Sequence, residues 1–176
     1  MLTGNEIRLQ VEAKRLVIEP FDPVCIGPNS YDVHLAPDMF VYREPVLDTR
    51  QENRGRSFRI PDEGLVLQPG TLYLGATVEH TECPDLIPTY EGRSSMGRLG
   101  LFSHITAGFG DVGFRGRWTL ELAVVQPVRV YAGMRIGQLS FYRPDGEVLQ
   151  QYAGKYQDQV GATASRAYRD REWGLD

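Results

Sequence analysis

The chain has 176 residues, a formal net charge of −4 and 41% hydrophobic residues, a composition typical of a folded globular domain that excludes disorder and fibrous repeats. Its length predicts one domain over residues 1–176. The acidic balance excludes a global positive field for polymeric nucleic acid, and the sequence contains neither a membrane-spanning apolar run nor a secretory leader. We therefore expect a cytoplasmic protein that binds no nucleic acid polymer and no membrane.

The chain begins with a predicted helix. Thr3 and Glu6 have the spacing of a capping box, in which hydroxyl and carboxylate satisfy backbone donors at the helix start. Ile7 and Val11 then begin an apolar stripe at helical spacing. These residues predict one short N-terminal helix.

Strands follow the helix. Apolar and polar residues alternate in 31–35, 72–78 and 118–122, with glycines and prolines between the runs. The polar stretch 48–59 is predicted to be an exposed loop. Residues 150–176 are predicted to be a C-terminal arm or lid, either frayed or ordered on a ligand or a neighbouring subunit. Short, irregularly spaced strands predict a mainly-β sandwich or jelly roll.

The chain is poor in metal ligands. Cys25 and Cys83 form no CxxC pair, and His34, His80 and His104 lack the usual spacing of a structural zinc site. A disulfide scaffold is not expected either. Any metal should therefore be Mg²⁺ carried by substrate phosphates, with no zinc and no metal site made by protein side chains.

Residues 91–117 are the main candidate for a binding site. They contain seven glycines and carry four arginines against two carboxylates, in an otherwise acidic chain. Such a segment turns tightly or approaches a ligand closely. Within it, Arg93, Ser94 and Ser95 offer a guanidinium, two hydroxyls and backbone amides that can surround phosphate oxygens. An ordinary surface turn is the alternative interpretation of this tripeptide.

Glu121 is the strongest candidate for proton chemistry. Side chains alternate along its predicted strand, so it shares one face with Thr119, Ala123 and Val125. A carboxylate among such neighbours is partly removed from water and is suited to moving protons. The alternative is an exposed glutamate on an edge strand. Arg98 is its candidate partner.

Two further residues and one segment carry groups that could take part in binding or catalysis. Asp111 lies in a glycine-rich turn where its carboxylate could bond a sugar hydroxyl while Phe114 stacks on the ring, although it could equally cap its own turn. His104 is interpreted as a structural residue, because no G-x-S-x-G elbow surrounds any serine. Residues 154–161 place a lysine, a phenol and amides near glycines, which indicates either a flexible lid over phosphates or disorder.

Six motifs together resemble a known family. PNSYDVHL, EGRSSMGRLGL, HITAGFGDVGF, GRWTLEL, GMRIGQL and GKYQDQVGATASR resemble, in order and spacing, the dCTP deaminase branch of the dUTPase-like superfamily. The resemblance covers nearly the whole chain. It implies a distorted jelly-roll, dUTPase-like β-barrel, a homotrimer with active sites shared between subunits, and zinc-independent deamination of dCTP in the synthesis of dUMP and dTTP.

The resemblance also implies roles in deamination. Glu121 matches the general base that takes a proton from the water attacking C4 of cytosine and returns it toward N3. Ser94 and Arg98 match residues that position the water and offset the developing charge, and the backbone of Thr106 and Ala107 matches the segment that holds the cytosine edge.

Phosphate chemistry is implied in the same way. Asp111 matches the carboxylate at the deoxyribose 3′-hydroxyl, whose counterpart in dUTPases orients the water that attacks the α-phosphorus. One Mg²⁺ would bridge phosphate oxygens, and dTTP would act as a feedback inhibitor. The positions that resemble triphosphate contacts are Arg93, Ser95, Gln138, Lys155, Tyr156 and Gln159.

The residues after Thr106 bear on the product. Enzymes that only deaminate often have His-Arg after the Thr-Ala pair, whereas Ala107-Gly108-Phe109 resembles enzymes that convert dCTP directly to dUMP. The chain is therefore interpreted as a bifunctional, dUMP-forming enzyme, although Val112 replaces the common proline. The alternatives are a dCTP deaminase that releases dUTP, a dUTPase without deaminase activity, and a non-catalytic nucleotide-binding trimer.

Overall fold

The N-terminal helix begins at its predicted capping residue. In the computed structural model, which describes residues 1–170, helix α1 spans Gly4–Glu12. The Thr3 hydroxyl accepts a hydrogen bond from the Glu6 backbone N–H at 3.3 Å. The Glu6 carboxylate instead accepts from Gln10 at 2.7 Å and from Arg143 at 2.7 Å. Only half of the predicted capping box therefore forms, and the Glu6 side chain ties the helix to Arg143, directly after β11.

Residues 1–170 also form eleven strands, a short helix α2 (Ser94–Gly97) and two 3₁₀ turns (Pro23–Cys25 and Ala167–Arg169). The strands are β1 (Val17–Glu19), β2 (Tyr31–His34), β3 (Asp38–Tyr42), β4 (Gly55–Arg59), β5 (Leu65–Leu67), β6 (Tyr73–Glu82), β7 (Ile87–Gly92), β8 (Leu101–Phe102), β9 (Arg115–Val124), β10 (Val128–Val130) and β11 (Arg135–Tyr142). None of the helices in this part of the chain is long and apolar enough to cross a membrane.

The strands are arranged in three antiparallel sheets. The largest has the order β4-β3-β6-β9-β8, with β1 also paired to β6, while β2-β11-β7 and β5-β10 form the other two. The predicted mainly-β, jelly-roll-like architecture with a short N-terminal helix is confirmed. The described strands remain in separate sheets and do not close into a barrel.

Strand β9 shows how the sequence pattern builds the core. Leu120 and Leu122 are 1% and 0% exposed, and Trp118 on the same face is also buried, whereas Thr119 and Glu121 on the other face are only partly buried. The predicted alternation is thus confirmed. Since the apolar face fixes the strand against the core, the opposite face presents Glu121 away from it.

The predicted loop at 48–59 is wrong in its second half. Gly55–Arg59 forms strand β4, which pairs with β3 at the edge of the largest sheet. Most of its side chains are exposed. An edge strand that is solvated on both faces carries polar residues, so its sequence does not differ from that of a loop.

The described part of the predicted arm packs on strand β9. Gln159 forms a parallel bridge with Gly116, and the Arg117 N–H donates to the Gln159 carbonyl at 2.9 Å. Farther along, the Ser165 N–H donates to the Tyr42 hydroxyl of β3 at 2.8 Å. The described arm is therefore ordered on its own chain, and residues 171–176 lie outside the described residues.

Both cysteines are free and buried. Burial raises the pKa of the Cys25 thiol and, more strongly, that of the Cys83 thiol. Cys83 also anchors a turn through its backbone, since its carbonyl accepts from the Gly113 N–H at 2.7 Å and its N–H donates to the Phe114 carbonyl at 3.1 Å.

Candidate active site

A cavity of about 430 Å³ lies beside β9, where Glu121 lines it from one face of the strand and Trp118 from the other. The rest of its wall comes from the loop that precedes β9, the C-terminal arm, and residues of β3, β6 and β7. Six predicted site residues line it: Ala107, Asp111, Phe114, Glu121, Tyr156 and Gln159. The structure therefore brings these six predicted residues together at one cavity.

The Glu121 carboxylate is held at the cavity wall. The side chain is half-buried, and its Oε2 accepts a hydrogen bond from the Ile105 N–H at 2.9 Å. The Glu121 N–H donates to the Ser103 carbonyl at 3.2 Å. The predicted pairing with Arg98 is not formed within residues 1–170, where Arg98 lies exposed at the end of α2.

Asp111 lies at the edge of this cavity and of a second, adjoining one of about 550 Å³. The turn that follows closes through its backbone, because the Phe114 N–H donates to the Asp111 carbonyl at 3.1 Å. Its carboxylate has no hydrogen-bond or ion-pair partner among the described residues. The carboxylate therefore does not cap the turn, and it remains available to a ligand.

Phe114 contributes to the cavity from the core. It is 8% exposed, because its ring packs 5.1 Å from the Trp118 ring and 6.0 Å from the Tyr152 ring, measured between centroids. The Tyr90 ring also stacks with the Trp118 ring, with centroids 6.4 Å apart. These packed rings form an apolar part of the cavity wall.

The loop that carries Thr106 and Ala107 lies along β7. The Tyr90 N–H donates to the Gly108 carbonyl at 2.5 Å, and Thr89 forms a bridge with Phe109. Ala107 lines the cavity, whereas Thr106 is exposed outside its lining. The predicted cytosine-binding backbone is therefore partly at the cavity.

The arm supplies the remaining wall. The Gln159 side chain donates to the Arg117 carbonyl at 2.8 Å, and the Tyr156 hydroxyl accepts from the Arg166 N–H at 2.9 Å. Lys155, the third predicted arm residue, does not line the cavity. Its ammonium contacts both carboxylate oxygens of Asp170 at 2.5 Å.

The other predicted site residues are located elsewhere on the chain, at α2 and the β2-β11-β7 sheet. We call them the basic group: Arg93, Ser94, Ser95, Arg98 and Gln138. None of them lines the cavity. One chain therefore presents its predicted site as two separate parts.

Two residues that the sequence analysis missed organise the basic group. The Asp32 Oδ2 lies 3.4 Å from Arg93 and 3.3 Å from Arg135, so one carboxylate holds two guanidiniums. Gln138 is opposite Asp32 in the strand register and accepts from the Ser30 hydroxyl at 3.1 Å. Asp32 and Arg135 both lie within motifs quoted above, which is the signal that could have identified them.

His104, interpreted from the sequence as structural, is part of the cavity lining. Its Nε2 lies 3.5 Å from the Glu91 carboxylate, and its ring meets the Tyr90 ring edge-on with centroids 5.7 Å apart. The signal for this position was its place two residues before Thr106 in the same loop.

The described residues offer few groups that could bind a metal directly. Within residues 1–170, no three His, Cys, Asp or Glu side chains are grouped closely enough to hold a metal ion. The basic group fits phosphate oxygens. The described residues therefore offer donors for phosphate oxygens and no cluster of side chains that would hold a metal ion by itself.

The fold places this chain in the class of mainly-β, jelly-roll-like proteins. It resembles the crystal structure of 2′-deoxycytidine 5′-triphosphate deaminase from Agrobacterium tumefaciens with a TM-score of 0.65 at 22% identity. That match covers 81% of this chain, which spans about half (48%) of the Agrobacterium protein. The chain thus has the jelly-roll-like fold of that protein.

The sequence shows the family to which the chain belongs. The dCTP deaminase-like family matches residues 1–144, and the chain belongs to this family. A protein of Leptospira biflexa named dCTP deaminase, dUMP-forming, is 50% identical over 172 residues, which are 98% of each chain. A protein of Hathewaya histolytica with the same name is 48% identical and is covered over 99% of its length.

Proposed function

We propose that this protein is a dUMP-forming dCTP deaminase. In the first step water adds to C4 of cytosine and ammonia leaves, which converts dCTP to dUTP. In the second step a water oxygen bonds to the α-phosphorus and the bond to the bridging oxygen breaks, which gives dUMP and diphosphate. The observation that carries the proposal is the half-buried Glu121 carboxylate, which the Ile105 N–H fixes at a nucleotide-sized cavity. A relative named dCTP deaminase, dUMP-forming, is 50% identical to this chain, which supports the same conclusion.

Glu121 acts as the proton shuttle for deamination. One carboxylate oxygen is held by the loop N–H, so the other can accept a proton from the attacking water and return it to the pyrimidine ring. The rings of Phe114 and Trp118 line the same cavity, so the exchange takes place beside an apolar wall in this proposal. General acid–base catalysis of this kind contributes about 10² to 10⁴ in rate.

A neighbouring subunit completes the site in this proposal. Ser94 and Arg98 are exposed and belong to the basic group, away from the cavity of their own chain. Phe102 and Val125, near α2 at the edge of the largest sheet, are 56% and 67% exposed, as expected for a surface that another chain covers. We therefore propose a homotrimer in which the Glu121 of one subunit meets the Arg98 of the next.

The triphosphate would be bound by both parts of the site. Arg93, Ser95 and Gln138 approach from the basic group, while Lys155, Tyr156 and Gln159 approach from the arm, which acts as a lid. A magnesium ion carried on the phosphates would lower their negative charge and so favour attack at phosphorus, while these side chains would hold the phosphate oxygens. A nucleotide with the same phosphates, such as dTTP, would compete for these contacts and inhibit the enzyme.

Asp111 serves the second hydrolysis. Its unpartnered carboxylate at the cavity edge can bond the deoxyribose 3′-hydroxyl and orient the water that attacks the α-phosphorus. The leaving diphosphate carries its charge toward the basic group and the arm. One site can thus perform both hydrolyses in sequence.

A product assay tests the proposal. The protein is incubated with dCTP and Mg²⁺ in the presence of a zinc chelator, and ammonia, dUTP, dUMP and diphosphate are measured. Equal amounts of ammonia, dUMP and diphosphate are expected. Release of dUTP would indicate deamination alone, consumption of dUTP but not dCTP would indicate a dUTPase, and no turnover of either nucleotide would refute the proposal.

A further inference from the structure

The residue before Asp111 has no room for a side chain. A Cβ on Gly110 would lie 2.6 Å from Cη2 of Trp118 and 2.9 Å from Cγ of Pro88. Nonbonded carbon atoms do not approach each other this closely, so one of the groups would have to move. The Gly110 N–H also donates to the Pro88 carbonyl at 2.9 Å, which fastens this point of the loop to β7.

The atoms that crowd Gly110 are fixed. Trp118 is 7% exposed, and its indole N–H donates to the Thr81 hydroxyl at 3.1 Å. Its ring also packs on Phe114, as described above. Pro88 belongs to a strand paired on both sides of residue 88, with β11 and with the loop. A side chain at 110 would therefore displace the loop and not the core.

Displacement at Gly110 would act on Asp111, the next residue. On the far side of Asp111 the chain is anchored by the hydrogen bond from Gly113 to the Cys83 carbonyl at 2.7 Å. An outward shift at 110 is therefore absorbed by Asp111, which lies between the two anchors. The contact between Glu121 and Ile105 lies at the other end of the loop, beyond the hydrogen bond from Tyr90 to Gly108.

We propose that Gly110 is a positioning residue that selects the product of the enzyme. The close approach of Gly110 to Pro88 and Trp118 places the Asp111 carboxylate for attack on the α-phosphorus, while deamination at Glu121 does not depend on it. The inference rests on the proposed function. It states that Gly110 determines whether the enzyme releases dUMP or dUTP.

The test is the ratio of diphosphate to ammonia formed from dCTP. The parent protein is expected to give a ratio near one. Gly110→Ala should lower the rate of diphosphate formation by about 10²-fold, the cost of a displacement near 1 Å, with a much smaller change in ammonia. Asp111→Asn should give the same pattern. Hydrolysis of dUTP supplied directly should fall in parallel.

A matched glycine provides the control. Gly146 has a φ of +96° and no atom within 4 Å of its Cβ position, in an exposed turn. Gly146→Ala therefore introduces backbone strain without a clash near the cavity. It should keep the parental ratio, which separates a local effect at Asp111 from a general loss of stability.

A second substitution tests the cause. Trp118→Phe removes the indole atom that crowds Gly110, and its own product ratio is measured as the reference for the double variant, because Trp118 also lines the cavity. The Gly110→Ala/Trp118→Phe double variant should recover part of the diphosphate lost in Gly110→Ala. If Gly110→Ala does not fold, the double variant is compared with Trp118→Phe, and a lower ratio in the double variant is expected.

Two results would overturn the inference and leave the proposed function intact. One is a folded Gly110→Ala with the parental ratio, and the other is an equal loss of ammonia and diphosphate. If Gly110→Ala does not fold, the inference would be overturned by a double variant whose diphosphate-to-ammonia ratio equals that of Trp118→Phe. A parent that forms no diphosphate from dCTP refutes the proposed function itself.

Discussion

The Ile105 N–H donates a hydrogen bond of 2.9 Å to the Glu121 carboxylate. This bond joins the loop before β9 to the strand itself. A backbone donor fixes the carboxylate without neutralising it, and it adds no rotatable side chain. The Glu121 carboxylate, the proposed proton shuttle, and the loop that carries Thr106 and Ala107 are therefore fixed relative to each other before any ligand binds.

The first prediction concerns this carboxylate. Glu121→Gln retains the size of the side chain but cannot accept a proton from water, so ammonia release from dCTP should fall by about 10² to 10⁴. Hydrolysis of dUTP should continue, because it depends on Asp111. Both rates are measured by product chromatography. Glu12→Gln in the exposed end of α1 is the control, and ammonia release at the parental rate by Glu121→Gln would contradict the mechanism.

The second prediction concerns the shared site. Glu121→Gln and Arg98→Ala chains should each be inactive in deamination. Refolded together in equal amounts, they should recover about a quarter of the parental rate if each site takes the two residues from different subunits of a closed ring. Ammonia release before and after mixing is the measurement. No recovery in an assembly shown to contain both chains would place the two residues in one subunit's site.

The third prediction concerns phosphate binding. Arg93→Ala removes a guanidinium that Asp32 orients, and a hydrogen bond to a charged group contributes about 1.5 to 3 kcal/mol. The KM for dCTP should therefore rise about 10- to 100-fold, with a smaller change in kcat. Arg59→Ala on the exposed edge strand β4 is the matched control. An unchanged KM with a lowered kcat would exclude Arg93 from ground-state binding.

The fourth prediction concerns docking of the arm at low pH. The Arg115 guanidinium donates a hydrogen bond to the Asp158 carboxylate and thereby lowers the pKa of the Asp158 carboxyl. A lowered pKa means that the ion pair favours the docked arm above the carboxyl's ordinary pKa, and this contribution is lost as the pH falls through the lowered value. Docking should therefore be constant near neutral pH and weaken below about pH 4.

Amide hydrogen exchange measures this effect. The Arg117 N–H, which donates to the Gln159 carbonyl, should exchange faster on acidification after the intrinsic pH dependence is removed, while Leu122 in the core stays protected. Asp158→Asn should abolish the pH-dependent step. A step of the same size in that variant would show that another group controls docking.

Local sequence patterns predicted the elements well. The Thr3 cap, the alternation along β9 and the glycine-rich loop each depend on neighbours within a few residues, so a sequence contains their signal. Strand β4 was missed because an edge strand needs no apolar face. The bridge between Gly116 and Gln159 joins segments far apart in sequence, and no periodicity marks it.

The candidate site was predicted less completely. Glu121, Asp111 and Gln159 do meet at one cavity, as the motifs indicated. Arg98 does not meet Glu121 within the described chain. A sequence motif identifies residues without specifying whether one chain brings them together. Asp32 was missed since its role depends on two arginines that approach from other elements of the fold.

The two buried thiols have a practical consequence for handling the protein. A thiol reacts with oxidants and alkylating reagents as its thiolate, and burial both hides Cys25 and Cys83 and keeps them protonated. Air oxidation should leave the folded protein intact. Because Cys83 also anchors the turn beside Asp111, its modification becomes a reporter of unfolding in that region.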